Sequence, residues 1–119
     1  MKKIALLLSP MVLLLFSCKK DKNATIYKVT YVVAGDNVNQ FKITQGATDN
    51  TVATPFSGTK DTTVYVQSGT MLKLDTKADN HNLVGSIYVN DVLKATATDT
   101  DVDGDSKTQV KLDYGVPQQ

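Results

Sequence analysis

Apolar and polar side chains alternate with a period of two through most of the chain that follows residue 24. Alternation of this kind is typical of a β-strand with one buried face. Turn residues interrupt the pattern about every 8–12 positions, and no segment has the spacing of an amphipathic helix. The pattern predicts eight strands, which lie at 25–33, 38–44, 51–54, 62–67, 70–75, 83–89, 92–98 and 108–114.

The turns between these strands are predicted from Gly, Asn, Asp and Pro. Residues 35–37, Gly-Asp-Asn, are expected to reverse the chain so that 38–44 returns after 25–33. Asn90 and Asp91 are expected to form a two-residue hairpin turn, because both residue types tolerate positive φ. Pro55 is expected to end the short third strand, since proline cannot donate a hydrogen bond to a sheet.

The alternation also predicts which side chains form the core. Two antiparallel sheets packed face to face would bury one face of each strand. We therefore predict an all-β fold, an antiparallel immunoglobulin-like β-sandwich of about seven to eight strands, with a small β-barrel as the alternative. The predicted inward residues are Tyr31, Phe41, Ile43, Val64, Val66, Leu72, Leu74, Ile87, Val89, Val110 and Leu112.

The first eighteen residues have the features of an export signal. Two lysines precede a short apolar stretch that is too short to remain as a transmembrane helix. The stretch ends in Leu15-Phe16-Ser17-Cys18, which resembles a bacterial lipobox, and that resemblance implies cleavage before Cys18 and acylation of its thiol. The alternative is an ordinary cleaved signal peptide that leaves a free thiol. Because Cys18 is the single cysteine of the chain, no intramolecular disulfide is possible.

These observations predict the organisation and location of the chain. Residues 1–17 are a lipoprotein signal peptide, 18–24 a lipidated tether, and 25–119 one β-sandwich domain. We expect the mature protein in the cell envelope, anchored by lipid in the outer membrane. The Cys-Lys-Lys-Asp sequence at 18–21 resembles the tether of many Bacteroidota-type lipoproteins.

The charged residues narrow the classes of partner. All thirteen basic residues are lysine and all twelve acidic residues are aspartate, and the net charge is +1. Such a balance provides no field that would recruit nucleic acid, so no nucleic-acid partner is expected. The one lysine cluster, Lys19, Lys20 and Lys22, lies in the tether, where anionic lipid headgroups would attract it.

An acidic loop is the main candidate for metal chemistry. Asp99, Asp101, Asp103 and Asp105 alternate with other residues, and Gly104 lies among them. Carboxylates at this spacing resemble the start of a calcium-binding EF-hand loop, but the final bidentate Glu position would be occupied by Val110. The alternative is a solvated acidic turn, which Asp and Gly favour on conformational grounds alone. We expect the turn, with Ca²⁺ not a ligand and no cofactor.

Two further candidates complete the chemical inventory. His81 is the single histidine, and the sequence has no Gly-x-Ser-x-Gly nucleophile elbow to accompany it, so we do not expect an enzyme. Asp61-Thr62-Thr63 resembles the short O-glycosylation acceptor sequence of Bacteroidota envelope proteins, which makes Thr62 a candidate glycosylation site.

Short motifs over 26–114 give a family resemblance. Tyr-x-Val-x-Tyr-x-Val-x-Gly at 27–35, Phe-x-Ile-Thr at 41–44, Pro-Phe-Ser at 55–57 and Ile-Tyr-Val-Asn-Asp at 87–91 are similar to motifs of MmpS-like domains. Those domains are small envelope β-sandwich proteins associated with exporters of the resistance–nodulation–division class. The resemblance implies a β-sandwich fold and an envelope protein partner.

Two functional classes remain open from the sequence. The first is a lipid-anchored binding or accessory module that docks on an export or envelope complex. The second is a surface adhesion or glycan-binding lipoprotein, which would use exposed loops at 45–50, 55–60 and 79–82.

The lipobox yields the first testable prediction. Mass spectrometry of membrane-extracted protein should show Cys18 as the acylated amino terminus, because the thiol is the acceptor in such signals. Cys18→Ala should abolish acylation. Recovery of an unmodified Cys18 peptide from the mature wild-type protein would contradict the prediction.

Overall fold

The computed structural model describes residues 25–100 and 104–118, and these form a single antiparallel sheet of seven strands with no helix. Within this part of the chain, no helix therefore has the length and apolar character needed to cross a bilayer. The strands are β1 (Ile26–Gln45), β2 (Thr48–Thr51), β3 (Phe56–Gln67), β4 (Met71–Ala78), β5 (Asn82–Val89), β6 (Val92–Thr100) and β7 (Thr108–Gly115). The all-β prediction is confirmed.

Strand β1 organises the whole sheet. Its first part, 26–38, pairs with β3 on one side, and residues 29–35 pair with β5 on the other. Its second part pairs with β4 over 38–45 and with β2 over 42–45. Strand β6 continues the sheet beyond β5, and β7 continues it beyond β4. The sheet therefore has two halves that share one strand.

The chain reverses at residues 35–37 as predicted, since the Tyr31 hydroxyl before the reversal donates to the Thr44 carbonyl after it, but the two segments are not separate strands. The segments 25–33 and 38–44 are two parts of the single strand β1 and do not pair with each other. The register shifts between Gly35 and Val38 against β3, and between Val38 and Gln40 against β4. Asn37 has a φ of 52°. The Gly-Asp-Asn sequence does change the direction of the chain. The change bends one strand from the first half-sheet into the second, because other strands occupy both edges of that strand.

One other turn follows the sequence prediction. Asn90 and Asp91 connect β5 to β6 with φ values of 50° and 67°, the positive angles that a type I′ hairpin needs. The β5–β6 hairpin therefore forms where the sequence placed it. The predicted third strand at 51–54 is wrong, because β2 is Thr48–Thr51 and ends four residues before Pro55, which follows a cis peptide bond between β2 and β3.

The bent sheet nearly closes on itself. Strands β6 and β7 lie close together at its two ends, although no ladder joins them among the described residues. The Gln109 backbone N–H instead donates to the Asp99 carboxylate, with an N–Oδ2 distance of 2.8 Å. The architecture therefore lies between the predicted sandwich and its barrel alternative.

The predicted core is confirmed. Nine of the eleven predicted inward residues are buried, and Val64 and Leu112 are partly buried against them. The remaining buried apolar residues are Val29, Val33, Val38, Ala78, Leu83 and Val116. The period-two alternation of apolar and polar residues therefore predicted correctly which face of these strands is buried.

The two half-sheets approach closely in the middle of the core. A Cβ atom built on Gly85 of β5 would lie 2.9 Å from Val110 Cγ1 and 3.1 Å from Leu74 Cδ2. These distances leave no room for a side chain at this position. Nearby, the Tyr31 hydroxyl donates across the core to the Thr44 carbonyl at 3.3 Å and accepts from Gln45 Nε2 at 3.1 Å. Burial raises the pKa of Tyr31, so this hydroxyl keeps its proton.

The strand pairing gives the domain two distinct ends. At the end where the chain enters, which we call the entry end, the Ser68 N–H donates to the Thr25 carbonyl at 3.0 Å. The β1–β2, β3–β4 and β5–β6 turns also lie there. At the opposite, distal end, the Asp79 N–H donates to the Asn37 carbonyl at 3.0 Å, which joins the β4–β5 turn to the bend of β1.

The alternation of β4 provides a stability test. Leu74 is 1% exposed and Lys73, its neighbour on the opposite face, is exposed. Leu74→Ala should cost ~2–5 kcal/mol and lower the melting temperature by about 8 °C or more, because it leaves a cavity at the half-sheet contact. Lys73→Ala should be nearly silent. Equal losses in thermal denaturation of the two variants would contradict the assignment of faces.

Candidate functional site

A polar cleft lies at the distal end, beside the seam where β6 and β7 fail to pair. Its volume is about 410 Å³. Side chains from four strands and their adjoining loops line it, so the cleft depends on the folded sheet. They are Asn39, Lys77, Ala78, Asp79, Asp99, Lys107, Thr108 and Gln109. We call this feature the distal cleft.

Asp79 is the best-defined charged group of the distal cleft. A hydrogen bond with the Asn39 side chain, and secondly the Lys107 ammonium, hold the pKa of Asp79 below its ordinary value. The Lys107 Nζ lies 3.4 Å from Asp79 Oδ1. Both groups are exposed, so water screens the pair and its contribution to stability is small. The ion pair instead fixes the positions of a carboxylate and an ammonium group at the rim of the cleft.

Asp99 lies at the end of the same cleft and joins β6 to β7. Its Oδ2 accepts the Gln109 backbone N–H at 2.8 Å, while the Gln109 side-chain Nε2 donates to Asp75 Oδ1 at 3.0 Å. A carboxylate that faces inward at a sheet edge also discourages unspecific strand pairing. Asp99 therefore protects the open edge and contributes acceptor oxygens to the cleft.

Thr108 lines the cleft, but its hydroxyl oxygen is itself buried. Its side chain is 4% exposed, and its Oγ1 has no hydrogen-bond partner among the described residues. Leaving a buried polar group unsatisfied costs about 1–3 kcal/mol. By contrast, the equally buried Thr76 donates from Oγ1 to the Gln40 carbonyl at 2.7 Å. The Thr108 hydroxyl is thus a buried polar group, unsatisfied among the described residues, that a ligand in the cleft does not reach.

A second, shallower depression lies at the same end. Its volume is about 310 Å³, and it lies between the bend of β1, the start of β3 and the β4–β5 turn. Its lining residues are Ala34, Gly35, Asp36, Gly58, Thr59, Asn80 and Asn82. The structure therefore brings together two of the segments proposed as glycan-binding loops, 55–60 and 79–82, although residues 56–60 belong to strand β3 and are not a loop. The third, 45–50, lies at the entry end.

The acidic loop is only partly described. Asp101 and Asp103 lie outside the described residues. Asp99 accepts the Gln109 N–H, and Asp105 Oδ1 accepts the Lys107 N–H at 3.0 Å. Within 25–100 and 104–118, no group of three or more His, Cys, Asp or Glu side chains has a metal-binding arrangement. The two described carboxylates thus each accept a backbone amide.

The other candidate residues lie apart from the distal cleft lining. Thr62 of β3 is opposite Tyr31, half-buried and on the same face as Val64 and Val66. His81 is exposed in the β4–β5 turn, where its N–H donates to Asn80 Oδ1. Cys18 lies outside the described residues, so its lipidation stays a prediction.

The sequence reading did not identify most of the distal cleft. Asn39, Asp79, Lys107 and Gln109 occupy three separate regions of the chain, and none belongs to a recognisable motif. The one available signal was the polar run at 79–82. Because the cleft exists through the pairing of β4 with β1 and β7, a local pattern could not assemble it.

Comparisons of the chain with models of protein families, with curated proteins and with solved structures found no match. The likeness to MmpS-like domains therefore stays a prediction from the sequence motifs.

The acidic loop yields a prediction about Ca²⁺. Calorimetric titration at physiological salt should show no binding stronger than about 10⁻³ M, because the loop lacks a bidentate ligand at its end. Asp101→Asn should leave that result unchanged. Micromolar binding that Asp101→Asn removes would contradict the prediction.

Proposed function

We propose that this chain is a lipid-anchored module of the cell envelope that binds an envelope protein partner through the distal cleft and has no catalytic activity of its own. Acylated Cys18 would hold it in the outer membrane. The likeness to MmpS-like domains suggests an export complex as the partner.

This proposal rests on the position of the distal cleft. The described chain begins at the entry end, and the cleft lies at the other end of the sheet. Strand β1 covers twelve steps from Ile26 to Val38, which is about 40 Å of strand. A domain tethered at its entry end would therefore hold the cleft away from the membrane, where another envelope protein can reach it.

The chemistry of the distal cleft is consistent with a protein partner. Two carboxylates, Asp79 and Asp99, and two ammonium groups, Lys77 and Lys107, lie among amide groups. Mixed charges of this kind, fixed in orientation, favour a particular partner and register more than they add affinity. Rigid strands hold most of these groups, so little order has to be gained on binding.

A glycan is the second candidate ligand, and the hydrogen-bonding groups that line the distal cleft favour it. Sugar hydroxyls both donate and accept hydrogen bonds, and the cleft provides amide, carboxylate and ammonium groups within one volume of about 410 Å³. The adhesion or glycan-binding alternative therefore uses the same cleft.

Site-specific crosslinking tests the protein partner. A photo-crosslinking residue replaces either Lys107, at the cleft rim, or Lys111, which lies on the outward face of β7 opposite Asp75. Both positions are exposed lysines. In intact envelopes, the label at 107 should give a discrete crosslinked protein and the label at 111 should not. Absence of any product at 107, or equal products at both positions, would overturn a partner at the cleft.

A binding measurement separates the glycan alternative. Asp79→Asn should weaken binding of envelope oligosaccharides about tenfold or more if a sugar occupies the cleft, because a charge-assisted hydrogen bond is lost. Asp113→Asn removes an exposed carboxylate on the outward face and should change nothing. Oligosaccharide binding with this pattern, together with no crosslinked protein at 107, would replace the first candidate with the second.

A further inference from the structure

Large exposed apolar side chains are concentrated at one end of the domain. Five such residues occur among the described residues, with exposed fractions between 47% and 68%. They come from four strands, yet the register places all of them towards the entry end. They are Ile26 of β1, Tyr65 of β3, Met71 of β4, and Val92 and Leu93 of β6. We call this set the entry-end surface.

The register shows how the entry-end surface is assembled. Tyr65 lies opposite Lys28, two residues along β1 from Ile26. Leu93 lies opposite Tyr88, which in turn lies opposite Thr30. The distance along β1 from Ile26 to Thr30 is four residues, or about 13 Å of strand. Apolar side chains therefore occur along roughly the first third of the first half-sheet.

Met71 extends the entry-end surface to the other half-sheet. It begins β4, where its carbonyl accepts the Gly46 N–H of the β1–β2 turn at 2.8 Å. Its side chain is 49% exposed. Both halves of the sheet thus contribute an exposed apolar side chain at the same end.

One ion pair lies beside the entry-end surface. Lys28 Nζ lies 3.0 Å from Asp91 Oδ1 in the β5–β6 turn. The hydrogen bond to Asp91 raises the pKa of Lys28, so the ammonium stays charged beside its carboxylate. The turn that precedes Val92 therefore does not present an uncompensated anion to whatever covers Val92 and Leu93.

The tether determines what lies nearest to this end. If Cys18 is acylated, the seven residues 18–24 separate the lipid from residue 25, and a chain of that length spans at most about 25 Å. Three of those residues are lysines, which anionic headgroups attract. The tether would therefore keep the entry end near the bilayer, where a second, weaker contact of the protein with lipid is within reach. Aliphatic side chains with an accompanying tyrosine suit such contact, because tyrosine favours the boundary between apolar and wet surroundings.

We propose that the entry-end surface rests on the lipid bilayer that holds acylated Cys18, and that this contact orients the domain with the distal cleft pointing outward. The proposal depends on the lipid anchor proposed above. Val92 and Leu93, directly after the β5–β6 turn, enter the headgroup region. A docked protein or a second copy of the chain is the competing occupant of this surface.

Environment-sensitive fluorescence on the full acylated protein tests the proposal. Leu93→Cys and Met71→Cys provide single labelling sites for a nitrobenzoxadiazole probe, because the Cys18 thiol is blocked by its lipid. Thr98→Cys is the matched control, since Thr98 is exposed on the same outward face of β6, further from the entry end. In vesicles of phosphatidylethanolamine and phosphatidylglycerol, the probes at 93 and 71 should shift to shorter emission wavelengths and resist an aqueous quencher. The probe at 98 should do neither.

The outcomes separate this proposal from the anchor itself. If the protein sediments with vesicles but the probes at 93 and 71 behave like the probe at 98, the lipid contact is overturned and the anchor stands. Probes that are aqueous in vesicles but shielded in native envelopes would assign the entry-end surface to a protein. Failure to sediment, together with an unmodified Cys18, would overturn both proposals.

Discussion

The structure depends on one strand that forms hydrogen bonds in both halves of the sheet. Strand β1 pairs with β3 and β5 before its bend, and with β2 and β4 after it. A straight strand could not do this, because the two halves face each other across one core. The register shifts and the positive φ of Asn37 allow the change of direction. Each half-sheet then buries its apolar face against the other, and Gly85 permits their closest approach to Val110 and Leu74.

The bend also separates two different surfaces. It places the start of β1 and the β1–β2, β3–β4 and β5–β6 turns at the entry end, and the bend itself with the β4–β5 turn at the distal end. Exposed apolar side chains lie towards the first end, and charged and amide side chains line clefts at the second. The proposed anchor and the proposed partner site are therefore separated by the length of the sheet. Such a separation suits a module that is held by one end and recognised at the other.

The described residues of strands β6 and β7 do not pair, and this leaves an open sheet edge and also forms the distal cleft. An open sheet edge exposes unpaired backbone groups and invites unwanted strand pairing. Asp99 reduces that risk because it accepts the Gln109 N–H and places an inward charge at the edge. The same gap leaves the buried Thr108 hydroxyl without a described partner and opens the distal cleft. Pairing of β6 with β7 would close the barrel, would give the backbone groups of this edge hydrogen-bond partners and would remove the cleft.

The sequence by itself determined most of the strands and which of their faces is buried, because period-two alternation is a local property of each strand. It also determined the β5–β6 turn, since Asn90 and Asp91 tolerate the angles that the turn requires. It misplaced β2 and the start of β3, where 48–51 and 56–60 lack that alternation. The tertiary structure alone decided that 25–33 and 38–44 belong to one bent strand, because that choice depends on which other strands take its hydrogen bonds. The tertiary structure alone also brought four polar side chains together around one cleft, namely Asn39, Asp79, Asp99 and Lys107. Those residues are distant in sequence, and only the pairing of β4 with β1 and β7, and of β6 with β5, brings them to the same end.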